Sequence, residues 1–383
     1  MHLTFWQNII SPHQAPFLRA LAGMGHEVTV VAPEVMTADR LAMGWQAPDL
    51  GLAKVLIAPD AVTLATLIEG GPREAIHVLA GARWTPLGHQ ATRGCLAAKR
   101  RMGILTEAPD PRGLGGIARY LKYSAERITD GRHYEFILAM GEMGVSWFRR
   151  CGYPPARLFP FAYVTEQRTE DEGRMSEFRS FGGRRTEGGG QGDAIILFVG
   201  RLVPLKGVDL LLRAFAAIST NGVRLQVIGD GQEEERLHLL SDTLGIGNRV
   251  EWLGRKDSNE IPALMAMADV VVLPSHKDGW GAVVNEALMA GTPVICSTAC
   301  GAAELIRQPW LGTIFAAGNV NELAAALGQW SGGGRSTPEK RQRIREWSRS
   351  IEGGNVARYF VEIMEHVYKD RARPAAPWRR DGA

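Results

Sequence analysis

PSHKDGWGAVVNEALMAGTPVI, residues 274–295, is the stretch on which the fold turns. The run Asp269-Val270-Val271-Val272-Leu273 leads into it and, being apolar without alternation, reads as a buried strand of a parallel sheet. Pro274 ends that strand. A loop holding Gly279 and Gly281 then opens an amphipathic helix, in which Val283, Val284, Ala287 and Leu288 recur at helical spacing while Asn285 and Glu286 face elsewhere. Gly291-Thr292-Pro293 closes the helix, and Val294-Ile295-Cys296 begins the next strand. The unit is β-loop-α-β, and its ligand end is the loop.

Asp278 and Glu286 bracket that loop, with seven residues between them. One carboxylate can reach a bound group over the loop and the other from the first turns of the helix. Between them lie the unsatisfied N–H groups of a helix start, which attract anions. Two acids would repel a phosphate set against them, so hydroxyls are their better partners: a carboxylate accepts two from adjacent ring positions of a sugar or ribose. A nucleotide sugar offers both chemistries, with its pyrophosphate in the middle. Each acid alone is also what a turn and a first helical turn favour, so the pair gains weight only from motifs elsewhere.

Those motifs follow residue 193, where AIILFVG reads as a buried strand ending at Gly200. GRLVPLKGVDLLLRAF comes next, with Arg201 and Lys206 ahead of Gly207 and an apolar helix. Two cations on one strand-to-helix loop can neutralise a pyrophosphate, Arg as a bidentate fork and Lys as a point charge. Strands are expected at 223–229 and 248–253, the second ending at Gly254-Arg255. Gly229-Asp230-Gly231 is not a dinucleotide fingerprint, because the third glycine is missing.

In this order the loops resemble those of the retaining family-4 glycosyltransferases of the GT-B fold. The resemblance implies an α/β chain of two doubly wound parallel-sheet Rossmann-like domains facing a cleft. It implies catalytic roles for Arg201, Lys206, Asp278 and Glu286, with Glu286 on the donor ribose and the two cations on the diphosphate. Gly200, Gly279, Trp280, Gly281 and Ala282 are then donor-binding, and Gly254 and Arg255 cradle the nucleobase. The family's first acid is usually Glu; Asp278 is one methylene shorter, which leaves the sugar preference open.

At 383 residues the chain is too long for one ordinary core. The expected division is an acceptor-side domain over 1–165, a Gly-rich polar linker over 166–192, a donor domain over 193–345, a helix over 346–370 crossing back to the first domain, and a basic tail over 371–383. A hydrophobic content of 45% and a charged content of 22% are those of a soluble globular protein. A net charge of +3, with no stretch interleaving basic and aromatic residues, speaks against a nucleic-acid binder. Cys95, Cys151, Cys296 and Cys300 lack zinc-site spacing and read as buried thiols of a reducing compartment. The N-terminus lacks the basic region of a signal peptide and no window is apolar enough to span a bilayer, so the expected place is the cytoplasm or the inner face of the cell membrane.

In the first half, strands are expected at 1–7, 27–31, 54–58, 75–79, 103–107 and 136–139, with helices between, the alternation of a doubly wound sheet. His13 lies in the loop after the first strand and is either a cleft residue or a solvated one. Glu107, at the end of the fifth strand, stands near where the resemblance expects a His; it takes an analogous role or is a surface carboxylate. Arg93 and Lys99-Arg100-Arg101 on one expected helix, with Arg119, Tyr120, Leu121, Lys122 and Tyr123 on the next, suit an anionic bilayer face or a plain solvated surface. The tail RARPAAPWRRDGA, holding Trp378, reads as membrane-touching or disordered.

Together these readings imply a metal-independent retaining glycosyltransferase that moves a hexose-type sugar from a UDP or GDP donor to a glycan or lipid-linked acceptor, in cell-surface polysaccharide synthesis. No Asp-x-Asp occurs, and neither cofactor nor divalent metal is expected. The rival readings are a nucleotide-sugar-binding regulator or degenerate transferase, and a nucleotide-sugar epimerase.

Overall fold

The runs Val30-Val31-Ala32 and Val270-Val271-Val272-Leu273 are apolar without alternation, and each is buried at every residue, on both faces of a parallel sheet. In the computed structural model, which describes residues 1–42, 46–81, 85–165, 194–218, 222–332 and 337–380, the chain divides into two compact units. Unit 1 comprises Met1–Glu166 with Ser350–Ala383, and unit 2 is Gln167–Arg349. The linker expected over 166–192 lies outside the described residues, as does Asp193.

The sheet of unit 1 is built from β1 (His2–Trp6), β2 (Glu27–Ala32), β3 (Lys54–Ile57), β4 (Ile76–Ala80), β5 (Arg101–Thr106), β6 (Phe136–Met140) and β7 (Leu158–Phe161), ordered β3-β2-β1-β4-β5-β6-β7. Every neighbouring pair is parallel. Between the strands run α1 (Ala15–Gly23), α2 (Ala38–Ala42), α3 (Ala61–Glu69), α4 (Pro86–Ala97), α5 (Gly113–Ile128) and α6 (Gly141–Arg150). β7 goes beyond the sequence reading, because Pro160 lies within it. A proline cannot donate to a ladder, and the strand tolerates it by lying at the sheet edge, where Pro160 registers with Ala139 of β6 alone. Strand order reverses between β1 and β4, the kind of position at which open α/β sheets bind ligands.

Unit 2 repeats the plan with β8 (Ala194–Val199), β9 (Val223–Ile228), β10 (Val250–Gly254), β11 (Val270–Leu273), β12 (Val294–Ser297) and β13 (Gly312–Phe315), ordered β10-β9-β8-β11-β12-β13. Its helices are α7 (Val208–Ala217), α8 (Glu234–Thr243), α9 (Ile261–Met267), α10 (Val283–Met289), α11 (Val320–Gly332) and α12 (Pro338–Ser348). The core on one side of this sheet joins Phe198, Leu211, Phe215, Leu225, Val272, Ile295 and Leu323, none more than 1% exposed. Here the reversal falls between β8 and β11.

The chain then returns to unit 1 as α13 (Gly353–Lys369), which packs on α1. Phe360 sits 5.8 Å from Phe5 and 5.5 Å from Phe17, ring centre to ring centre, and is fully buried. Truncating such a ring costs about 3–5 kcal/mol, so the helix is integral to the unit. The tail corrects the sequence reading, since residues 371–380 are folded onto unit 1. Trp378 is 2% exposed with its ring edge-on to Tyr359, Arg373 lies 4.3 Å over Phe159 while donating to the carbonyls of Ala156 and Leu158, and Arg379 pairs with Glu142 at 2.8 Å. Cationic stems covering rings and capping carbonyls leave little for a membrane.

The basic cluster is corrected too. Lys99 to Arg101 are not helical but form the turn and first residue leading into β5, with Lys99 at φ 50°. Arg100 donates to the carbonyls of Ile68, Glu69, Gly71 and Pro72, capping the end of α3, and Arg101 lies 4.5 Å over the ring of Tyr368. What stays on the surface is α5, where Leu114 is 85%, Leu121 61% and Ile117 58% exposed. Among the described residues, no helix is long and apolar enough to cross a membrane.

Candidate active site

In unit 2 the loops after β8 and β11 meet over the crevice. Gly207 adopts φ 66°, and a Cβ there would come within 2.4 Å of the Pro274 carbonyl, so only glycine lets the two loops approach this closely. The His276 N–H donates to the Leu205 carbonyl at 2.9 Å and ties the loops together. Lys206, closing the turn Pro204–Lys206, is thereby placed against Asp278: Nζ to Oδ2 is 2.6 Å, with side chains 22% and 15% exposed. This is a charge-assisted contact in a partly desolvated place, at the edge where open α/β sheets bind ligands.

The main chain of the second loop is fixed from behind. The Asp278 N–H donates to the Ala299 carbonyl at 3.0 Å, and the Ala302 N–H to the Trp280 carbonyl at 2.8 Å. Gly281 turns the chain into α10 at φ 91°, with Leu273 Cδ2 2.6 Å from where a Cβ would stand. Ala282 is the N-cap residue, and Glu286 lies in the first turn. Gly200 and the exposed Arg201 begin the β8 loop, while Gly254, at φ 61°, and Arg255 leave β10, two strands further along the same edge. The fold therefore brings Lys206 and Asp278 into contact, sets Glu286 on the adjoining helix and keeps the Gly254 turn apart.

One side chain stands differently from the sequence reading. Asn285 does not face away with Glu286; it is fully buried, accepting a 2.8 Å hydrogen bond from the indole Nε1 of Trp280, itself 2% exposed. All four cysteines are buried and free of disulfides. Beneath the loop, a hydrogen bond from Cys300 together with burial holds the Cys296 thiol well above its ordinary range, so it is packing and not chemistry.

Unit 1 carries a polar cluster at its own reversal. The segment after β7 crosses back so that the Val164 N–H donates to the His13 carbonyl at 2.9 Å, and the rings of His13 and Tyr163 lie 6.0 Å apart. Tyr163 hydrogen-bonds Glu107 at the end of β5; burial first, then that carboxylate, raise the phenol's pKa well above its ordinary value, with Arg40 of α2 opposing. Gln7, 4% exposed at the end of β1, donates to Gln14 at 2.7 Å and leaves its own Oε1 buried without a hydrogen-bond partner among the described residues. Sequence reasoning found His13 and Glu107 but missed Gln7, Gln14 and Tyr163. The polar pair flanking an apolar strand and loop was the only signal for the glutamines, and Tyr163 carried none.

The seven- and six-stranded parallel units are those of the GT-B glycosyltransferase fold. Anabaena HepE, solved in complex with UDP, superposes at a TM-score of 0.71 with 18% identity, over 96% of this chain and 100% of that one, and its UDP-glucose complex at 0.66. Residues 184–350, which span most of unit 2, match the family described as Glycosyl transferases group 1. An uncharacterized glycosyltransferase of Methanocaldococcus jannaschii is 38% identical over 126 residues, 33% of this chain and 32% of that one. A D-inositol 3-phosphate glycosyltransferase of Mycobacterium marinum is 33% identical over 140 residues, 35% and 30% of the two. These alignments span about a third of the curated relatives' length.

Proposed function

We propose that the protein is a metal-independent retaining glycosyltransferase that takes a hexose-type sugar from a nucleoside-diphosphate donor. The observation that carries this reading is the 2.6 Å contact of Lys206 with Asp278 at the β8/β11 reversal, a cation for phosphate and a carboxylate for hydroxyls at one point. Donor binding exchanges that contact: the diphosphate takes Lys206 and Arg201, the sugar hydroxyls take Asp278, and Glu286 accepts from the ribose. In the transfer, the bond from the anomeric carbon to the diphosphate breaks and the acceptor oxygen bonds that carbon on the same face. The leaving phosphate oxygen takes the acceptor's proton. Stabilising that departing charge is the main demand on the protein, and two fixed cations meet it. The complexes of HepE with UDP and UDP-glucose support UDP as the donor nucleotide.

For the acceptor we propose a glycan or lipid-linked sugar, held at the His13, Glu107 and Tyr163 cluster of unit 1, with a role in cell-surface polysaccharide synthesis. A carboxylate, a phenol and amides are hydroxyl-reading groups. The exposed Leu114, Ile117 and Leu121 of α5, with Lys122 beside them, suit peripheral docking on the inner, anionic face of the cell membrane.

The test is thermal stabilisation of the full chain by UDP, GDP and ADP, on wild type and Glu286→Ala. One nucleotide should raise the melting temperature, by an amount equivalent to about 2.7 kcal/mol at a hundredfold excess over its Kd, and the variant should lose the shift. No shift with any nucleotide would overturn the donor assignment and favour a chain that keeps the fold without its ligand.

A further inference from the structure

An aromatic residue between two glycines, beside a sugar-binding carboxylate, invites reading as a stacking platform for the sugar. Its surroundings give Trp280 a different part. We infer that it is the positioning residue of the donor loop, pinning the rotation of α10 through Asn285 and thereby aiming Glu286. The inference rests on the donor-site reading above and gives it a mechanism of assembly.

Trp280 is 2% exposed and Asn285 is fully buried, so neither side chain presents a face to a ligand. The indole N–H reaches the Asn285 Oδ1 at 2.8 Å and links the loop to the first turn of the helix, straddling Gly281 with its φ of 91°. The loop end of this clasp is itself anchored, since the Trp280 carbonyl accepts from the Ala302 N–H at 2.8 Å. Asn285 stands among Val284, Ala287 and Leu288, all buried, on the face of α10 turned to the core. Apolar side chains slide past one another with little change in energy, whereas a buried amide oxygen is costly to part from a donor it holds. A polar residue at one buried helical position fixes register for this reason. Successive helical residues are turned about 100° from each other, so fixing Asn285 fixes the direction in which Glu286 leaves the axis.

The experiment uses the full chain as wild type, Trp280→Phe, and Trp280→Phe with Asn285→Leu. The probe is whichever of UDP, GDP and ADP stabilises the wild type. Trp280→Phe should lower the melting temperature and raise the nucleotide Kd by about tenfold, the effect of losing one aligned contact. Replacing both partners by apolar groups removes the amide together with the donor it held, so the double variant should recover its melting temperature while Kd stays raised. Recovery of Kd together with the melting temperature would show that Trp280 is only packing, and an unchanged Kd in Trp280→Phe would overturn the inference outright. Hydrogen exchange of nucleotide-free protein separates this from failure of the donor reading. If no nucleotide binds the wild type, amides over 281–286 should still exchange faster in both variants than in wild type, and unaltered exchange there would overturn the clasp.

Discussion

The two units share one topology and place opposite chemistry at the same point of it. At the unit 2 reversal, glycines bring two backbones together and the side chains that meet are a cation and an anion, Lys206 and Asp278. At the unit 1 reversal the chain instead brings the His13 and Tyr163 rings together, sets Tyr163 on the Glu107 carboxylate and pairs Gln7 with Gln14. Topology decides where a ligand can lie, because parallel strands present all their outgoing loops at one edge. What lies there is decided by side chains: a directly paired cation and anion offer charge exchange with a diphosphate, and a carboxylate with a phenol and amides offers hydrogen bonds to hydroxyls.

The largest effect is expected at the charged site, where Lys206→Ala should lower turnover with UDP-glucose by ~100-fold or more, as loss of one charge stabiliser commonly does. A steady-state assay of UDP release that finds a near wild-type rate would remove the catalytic distinction between the two reversals.

Acid should next set the units apart. His77 of β4, fully buried and accepting from the Trp6 indole at 3.2 Å, is pushed by burial from its ordinary 6.5 to about 4. Its folded value lies below the unfolded one, so the stability of the neutral ring is whole above pH 6.5 and is lost as pH falls towards 4, by about 3 kcal/mol in full. Urea unfolding followed by hydrogen exchange should show unit 1 weakening across that window, and His77→Leu should flatten the dependence. An equal loss in both units, unaffected by the substitution, would refute it.

The smallest effect belongs to the unit 1 cluster. Tyr163→Phe keeps the ring against His13 but removes the hydroxyl, and should raise the acceptor KM by about tenfold while UDP affinity stays as in wild type. A change in UDP affinity instead would mean that the cluster does not serve the acceptor.

The charged site was legible in the sequence because its parts are short, contiguous motifs. Lys206 lies six residues beyond Gly200, and Asp278 directly precedes Gly279, so strand ends, turn glycines and charges are read together. The unit 1 cluster was half legible, since Tyr163 meets His13 and Glu107 only by a tertiary crossing that no local pattern encodes. Asn285 was misread for a related reason: polarity alone assigns it to solvent, and only its distance to the Trp280 indole shows why it is buried. The cations at 99–101 and in the tail were read as surface charge because their uses are carbonyl caps and ring stacking, which depend on partners far along the chain.

Phe17 and Phe360 close one core from opposite ends of the chain, and this sets an order on its synthesis. Unit 2 is contiguous from Gln167 to Arg349 and is wholly made before the first residue of α13. Unit 1, begun first, is the last to be completed: α1 emerges early and waits, its aromatic face without the helix that covers it, until the ribosome has passed through the whole of the other unit.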